Sequence, residues 1–170
     1  MRTRKACLPD AKRIYALIAE YAREELLLPR SLAEICENIR DFTVVEDRKE
    51  VVGCGALHLY GLDLAEIRSL AVGRTAQRRG AGRGLVEALL TEAATHRVGR
   101  VFLFTRIPDY FARMGFVSVP HQSLPEKTLK DCLKCPRFNC CDETAMVFDG
   151  VSARTTAHRP ALPALRSLPG

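Results

Sequence analysis

Tryptophan is absent from the sequence, and tyrosine and phenylalanine together bring the aromatic share to only 6%. So few rings offer little for stacking nucleobases, and no zinc-finger or RRM-like pattern stands in for them, so nucleic acid is not an expected partner. Long apolar runs are missing too: nowhere do eighteen apolar residues follow one another, which argues against a membrane-spanning helix. The opening stretch MRTRKACLPD lacks the apolar segment of a secretory signal, so a cytoplasmic location is expected. Acidic residues are outnumbered, 20 against 26 basic ones, for a formal net charge of +6. Half of that excess belongs to the C-terminal stretch GVSARTTAHRPALPALRSLPG, with three arginines and no acid. Elsewhere basic charge concentrates at Arg74, Arg78, Arg79 and Arg83, a focus that suits a small anion better than a polymer.

What is present is an alternation of element types within 170 residues, the length of one domain. Residues 1–149 read as that domain and 150–170 as a disordered tail. A short strand at Thr3 to Ala6 precedes a helix over Asp10 to Arg23, where Ala11, Ile14, Leu17, Ile18 and Tyr21 share a face. Ser31 and Glu34 have capping-box spacing and open a second, short helix. FTVVE and VVGCGALHLY, separated by polar DRKE, form an antiparallel hairpin, and AEIRSLAV is a further strand. A helix over Gly84 to Arg97 carries Leu85, Val86, Leu89, Leu90 and Ala93 at helical spacing. VFLFT is apolar enough for a central strand. Pro108 opens a short helix that Gly115 ends, and FVSV and TAMVF supply the last strands. The order β-α-α-β-β-β-α-β-α-β-β predicts an α/β fold with a mixed central sheet flanked by helices.

Between the third long strand and its helix lies AQRRGAGRG. Gly80, Gly82 and Gly84 let the backbone turn tightly and approach a ligand closely, while the first turn of the helix offers unpaired N–H groups at the positive end of its dipole. That combination suits a pyrophosphate. The P-loop pattern G-x-x-x-x-G-K-[ST] is absent, and RVFLFTR offers no acidic residue where a dinucleotide-binding unit would place one.

The stretch QRRGAG, Gln77 to Gly82, after a strand ending SLAV, matches the Q/R-x-x-G-x-G/A signature of the GNAT acetyltransferases, and YFARMGF, Tyr110 to Phe116, resembles their aromatic FYEKLGF segment. The resemblance covers roughly Thr3 to Phe148. It implies a GNAT fold, a sheet splayed around acetyl-CoA. The pyrophosphate would lie on backbone N–H groups from Arg78 through Arg79, Gly80, Ala81 and Gly82 to Arg83, after Gln77. The pantetheine arm would pair with Leu70, Ala71 and Val72.

LLLPRSLAEICENIRDF, AEIRSLAV and LPEKTLKDC with DETAMVFDG further resemble the acetyltransferase domain of bacterial N-acetylglutamate synthases. This implies an amino-acid N-acetyltransferase acting on the α-amino group of L-glutamate, the first step of arginine biosynthesis. The acceptor would be held at Leu28 and Arg30, since a guanidinium grips a carboxylate bidentately. Arg106 is a second candidate anion contact. Glu66 stands where that family places its general base, and Thr105 matches a hydroxyl near the thioester. Where the GNAT superfamily often carries a tyrosine as general acid, in the second position of FYEKLGF, this chain has Phe111. Tyr110 sits one residue early, a swing of roughly 100°, and is expected to point elsewhere. An Arg-x-Ser pair that helps hold glutamate before the last strand of long-form synthases is replaced here by Cys140, Cys141 and Asp142. Glutamine, a protein N-terminus or a polyamine therefore stay open as acceptors, as does a non-catalytic acyl-CoA-binding module, and a homodimer is left open.

Four of the seven cysteines fall in CLKCPRFNCC. Cys132, Cys135, Cys140 and Cys141 leave open a zinc site, a disulfide or reduced thiols, of which zinc is not favoured because four ligands so close together strain a tetrahedron. Cys7, Cys36 and Cys54 read as small core residues. His58 reads as a strand histidine with its hydrogen bond satisfied.

Overall fold

The computed structural model describes residues 1–130, 132–135 and 140–151; the segment expected as a disordered tail lies, from residue 152 on, outside the described residues. Among the described residues seven strands form one sheet in the order β1-β2-β3-β4-β5-β7-β6. They are β1 (Arg2–Lys5), β2 (Phe42–Asp47), β3 (Glu50–Leu59), β4 (Leu64–Val72), β5 (Arg100–Thr105), β6 (Val117–Ser118) and β7 (Thr144–Asp149). Every neighbouring pair is antiparallel except β4 and β5, so the sheet is mixed, as expected. The parallel pair β4 and β5 is joined by a helical crossover, because a tight turn cannot return the chain to run in the same direction.

The helices are α1 (Ala11–Arg23), α2 (Leu32–Glu37), α3 (Ala81–Thr95), α4 (Pro108–Ala112) and α5 (Pro125–Lys130). Ser31 caps α2 through the reciprocal box read from its spacing: its hydroxyl accepts from Glu34 N at 3.1 Å and Glu34 Oε2 accepts from Ser31 N at 2.7 Å. These two hydrogen bonds, the backbone one foremost, hold the Glu34 carboxyl below its ordinary range. Two expectations are corrected. The long central helix begins at Ala81, not Gly84, so Gly82 and Gly84 lie inside its first turn. The helix α5, in a polar stretch too short to show a period, was not anticipated.

Alternation along the strands divides the core between two faces. Val44, Cys54, Ala56 and Ala71 pack beneath Ile14, Leu17 and Ile18 of α1 and Ile35 of α2. Leu57, Ala65, Ile67, Val101 and Leu103 pack beneath Val86, Leu89 and Leu90 of α3. Each fully buried leucine or isoleucine contributes on the order of 1.5–3 kcal/mol of transfer free energy. No helix among the described residues is long and apolar enough to cross a membrane.

Candidate active site

The site begins with a fault in the β3–β4 ladder. Cys54 pairs with Ala71 and Ala56 with Arg68, so Gly55 alone faces the two residues Ser69 and Leu70. This is a β-bulge, and within it Ser69 takes a left-handed conformation, with φ of 53°. The extra residue reverses the alternation. Ala65 and Ile67 face α3, yet Ala71 faces α1, while Leu70 turns to the α3 side. It also bends β4 away from β5: the two are paired at Leu64, Ala65 and Glu66 and not beyond, although both strands run on.

The opening left by this divergence is a cavity of about 680 Å³. Leu70 and Val72 line it from β4, Leu103 and Thr105 from β5, and Gln77, Arg78, Gly80, Gly82 and Arg83 from the turn and the start of α3. Ala71, on the other face of the strand, is buried against α1.

The glycine-rich turn is built for close approach. Arg78 and Gly80 both adopt positive φ, 59° and 87°, and Gly80 is the left-handed N-cap of α3 without a side-chain cap. The first bond within the helix runs from Gly84 N to Gly80 O at 2.9 Å, which leaves the N–H groups from Gly80 to Arg83 without a helical partner. A Cβ on Gly82 would meet the Tyr110 hydroxyl at 2.9 Å, so the missing side chain keeps the cavity open. Tyr21 and Gln77 brace the turn: the Gln77 amide donates to the Tyr21 hydroxyl at 2.7 Å, which donates to Val72 O at 2.5 Å.

A second cavity, of about 540 Å³, lies on the other side of the bulge. It shares Leu27, Ile67, Arg68, Ser69, Phe104 and Glu143 with the first, so the two spaces are continuous. Leu28, Arg30, Glu66, His121 and Lys127 line this second space. Arg30 is held at the entrance to α2 by the Ser31 cap, and Arg68 is two residues from Glu66 on the same face of β4. Among the described residues neither Arg30 nor Arg68 has a salt-bridge partner, although both lie near enough to Glu34 to lower its pKa.

A glycine turn feeding unpaired N–H groups into the gap between parallel strands agrees with the comparisons. The sequence model of the acetyltransferase (GNAT) family matches residues 9–116. This chain belongs to the GNAT family. An uncharacterised N-acetyltransferase from Chlorobaculum tepidum is 41% identical over 144 residues, 85% of this chain and 93% of that one. An amino-acid acetyltransferase of Mycobacterium tuberculosis is 37% identical over 119 residues, covering 68% of both chains. Among solved structures, Rv2747 of M. tuberculosis in complex with CoA and NLQ superposes with a TM-score of 0.76 at 30% identity, covering 88% of this chain and 99% of that one. The N-acetylglutamate synthase of Neisseria gonorrhoeae, complexed with coenzyme A and N-acetyl-glutamate, gives a TM-score of 0.80 at 29% identity. The match covers 87% of this chain but only 34% of that synthase, so the chain spans about a third of its length. The chain is accordingly a GNAT N-acetyltransferase, an acyltransferase whose solved relatives bind CoA.

Within this GNAT frame several candidate residues have unexpected surroundings. Glu66 is 3% exposed and faces only the second cavity, with both oxygens engaged: Lys127 Nζ lies 2.7 Å from Oε1, and the Tyr60 hydroxyl donates to Oε2 at 3.1 Å. Arg106 lines the first cavity, not the second, and its guanidinium is held by Asp142 at 2.9 Å and by Leu26 O at 3.2 Å. The bond to Asp142 is the main cause of its raised pKa. Thr105 Oγ1 accepts from Ile107 N at 3.0 Å, which shapes the turn into α4. Arg79 pairs with Asp47 at 3.0 Å, and Ala81 is packed into the core. His58 Nδ1 lies 3.0 Å from Asp41 Oδ2, in keeping with a satisfied strand histidine.

Tyr110 is a correction. It does not point elsewhere: its side chain lines the first cavity over Gly82, while Phe111 is buried in the core. The helix α4 is only one turn long and sits rotated so that the earlier aromatic meets the cleft. Burial raises the Tyr110 phenol above its usual range.

Glu143 was missed by the sequence reading. It lines both cavities, and burial raises its carboxyl above the ordinary range. Its one available signal was an acid immediately before β7, where a solvated surface residue reads the same. Cys132, Cys135 and Cys141 line the second cavity, and Cys140 is exposed. Among the described residues no group of three or more histidine, cysteine or acidic side chains is placed to hold a metal ion.

Proposed function

We propose that this chain is an amino-acid N-acetyltransferase that moves the acetyl group of acetyl-CoA to the α-amino group of L-glutamate. The observation that carries this reading is the pair Arg30 and Arg68, two guanidinium groups without a salt-bridge partner among the described residues, lining a cavity that opens into the glycine-bounded cleft. An amino-acid acceptor brings a carboxylate close to its amine, and L-glutamate brings a second. A guanidinium binds either with paired, charge-assisted hydrogen bonds. The relatives named amino-acid acetyltransferase, and the N-acetylglutamate synthase complexed with N-acetyl-glutamate, support the same class of acceptor.

Acetyl-CoA supplies an activated thioester, and the residues of the first cavity fit it. The N–H groups from Gly80 to Arg83 point positive dipole at a pyrophosphate, with Arg78 and Arg83 on the rim. The side of β4 facing β5 loses its ladder partner after Glu66, leaving backbone at Leu70 to Val72 to bind an extended chain. Donor on one side of the bulge and acceptor on the other would meet near Ser69 and Phe104, so the amine attacks the thioester directly. Tyr110, over Gly82, is placed to give a proton to the departing thiolate. Proton removal from the ammonium falls to a carboxylate facing the acceptor cavity, of which there are two among the described residues, Glu66 and Glu143.

A second reading, L-glutamine as acceptor, is favoured by those same two carboxylates, since a neutral side-chain amide tolerates acidic neighbours better than a second carboxylate does. Thiol release from acetyl-CoA with L-glutamate, L-glutamine, L-aspartate, a polyamine and a short peptide tests both. Turnover favouring L-glutamate supports the reading, and turnover favouring L-glutamine supports the second. Turnover confined to amines lacking a carboxylate overturns the role of the arginine pair.

A further inference from the structure

A base for this reaction must reach the acceptor nitrogen at the moment that nitrogen reaches the thioester. That restricts it to the region common to both cavities. Of the residues lining both, Leu27, Ile67, Ser69 and Phe104 carry no base, and Arg68 is a permanent cation, which leaves Glu143. Resting on the acetyltransferase reading above, we propose that Glu143 is the general base, in place of Glu66.

The surroundings of the two carboxylates separate their roles. Glu66 faces the acceptor cavity alone, and its oxygens are taken by Lys127 at 2.7 Å and Tyr60 at 3.1 Å. A carboxylate so held has neither oxygen turned to an incoming ammonium and serves as a structural anchor. Glu143 is held by its backbone instead: His121 Nε2 donates to its carbonyl at 2.8 Å. Its salt-bridge partner among the described residues is Arg106, with Nη1 at 3.7 Å from Oε1, beyond hydrogen-bond range. Arg106 is itself committed to Asp142. The carboxylate of Glu143 therefore keeps lone pairs for an incoming ammonium.

The charged and titratable groups around it are Arg106 from the end of β5, Lys127 from α5, Glu66 from β4, Asp142 beside it in the chain, and Arg68 and His121 lining the same space. Burial outweighs the cations and raises its pKa, which brings the carboxylate nearer in basicity to the amine it must deprotonate. In the step, one ammonium proton passes to Glu143 and the freed lone pair forms the N–C bond to the acetyl carbonyl. The C–S bond breaks as Tyr110 protonates the thiolate, and the second nitrogen proton restores the Tyr110 phenol, so the products are the amide and the free thiol, with one proton left on Glu143 to pass to solvent.

The test compares wild type with Glu143→Gln and Glu143→Asp in thiol-release assays across pH, with L-glutamate and L-glutamine as acceptors. Glu143→Gln is expected to lower kcat about 100-fold or more near neutral pH, with the KM for acetyl-CoA unchanged. The loss should shrink as pH rises and the amine deprotonates in solution, and Glu143→Asp should recover part of the rate. A merely structural role would not give that pH-dependent recovery. A Glu143→Gln variant with the wild-type kcat and pH profile overturns the proposal while leaving the acetyltransferase reading intact. Absence of wild-type turnover with both amino acids overturns the acceptor reading and the proposal together.

Discussion

Lys127 and Glu66 form an ion pair at 2.7 Å in the wall of the acceptor cavity, with side-chain exposures of 13% and 4%. It joins α5 to β4, two elements far apart in sequence, and so fixes the wall that α5 contributes. Removing one partner of a buried pair takes away the contact that offsets the other's desolvation. Glu66→Gln is therefore expected to destabilise the fold by about 3 kcal/mol, and the double variant with Lys127→Met to recover most of that loss. Chemical denaturation of the three variants measures it. A Glu66→Gln variant as stable as wild type would remove the structural role.

Arg30 and Arg68 are expected to act on the acceptor alone. Replacing either by alanine should raise the acceptor KM tenfold or more, the loss of one charge-assisted contact, with the KM for acetyl-CoA unchanged. Steady-state kinetics with each substrate varied separately checks this, and equal effects on both substrates would contradict the division of the site.

Gly82 marks the donor side. Gly82→Ala places a Cβ 2.9 Å from the Tyr110 hydroxyl, so the KM for acetyl-CoA should rise several-fold. Stability should hold or improve, since alanine suits a helix better than glycine by up to about 1 kcal/mol. An unchanged donor KM together with unchanged stability would show that the contact does not limit the cleft.

Much of this was legible beforehand, and the parts that were not share a cause. The glycine turn announced itself because few other sequences combine that spacing with a strand before and an apolar helix after. The α1 and α3 faces were legible from their 3.6-residue period. The bulge at Ser69 and Leu70 was not, because AEIRSLAV alternates plausibly with or without an extra residue. Only pairing with Gly55 reveals it. The bulge in turn decides that Leu70 and Val72 border the cleft while Ala71 does not. Glu143 and Lys127 were illegible for a related reason. Each lies in a short polar stretch, and tertiary packing alone brings it into a cavity.

Away from the site, Asp10 anchors β1 to α1. Its carboxylate accepts from Arg4 at 2.7 and 3.0 Å and from Cys7 N at 2.9 Å. The Arg4 guanidinium, chiefly, lowers its pKa from 3.8 to about 2. The unfolded chain therefore takes up this proton first as pH falls. Roughly 2 kcal/mol of stability, fully present above the unfolded value, should be lost as pH falls through about 4 towards 2. Denaturation at a series of pH values should show a flatter acid limb for Asp10→Asn, and an identical limb would contradict the linkage.

Direct transfer requires that the two cavities meet, with donor and acceptor bound together. Three thiols, Cys132, Cys135 and Cys141, line the acceptor side and make an acetyl-cysteine route the natural competitor. Initial velocities over a matrix of acetyl-CoA and L-glutamate concentrations separate the two. Intersecting double-reciprocal lines are the predicted result, because the amine attacks the thioester within a ternary complex. Parallel lines, with acetylated protein accumulating when the acceptor is left out, would contradict it.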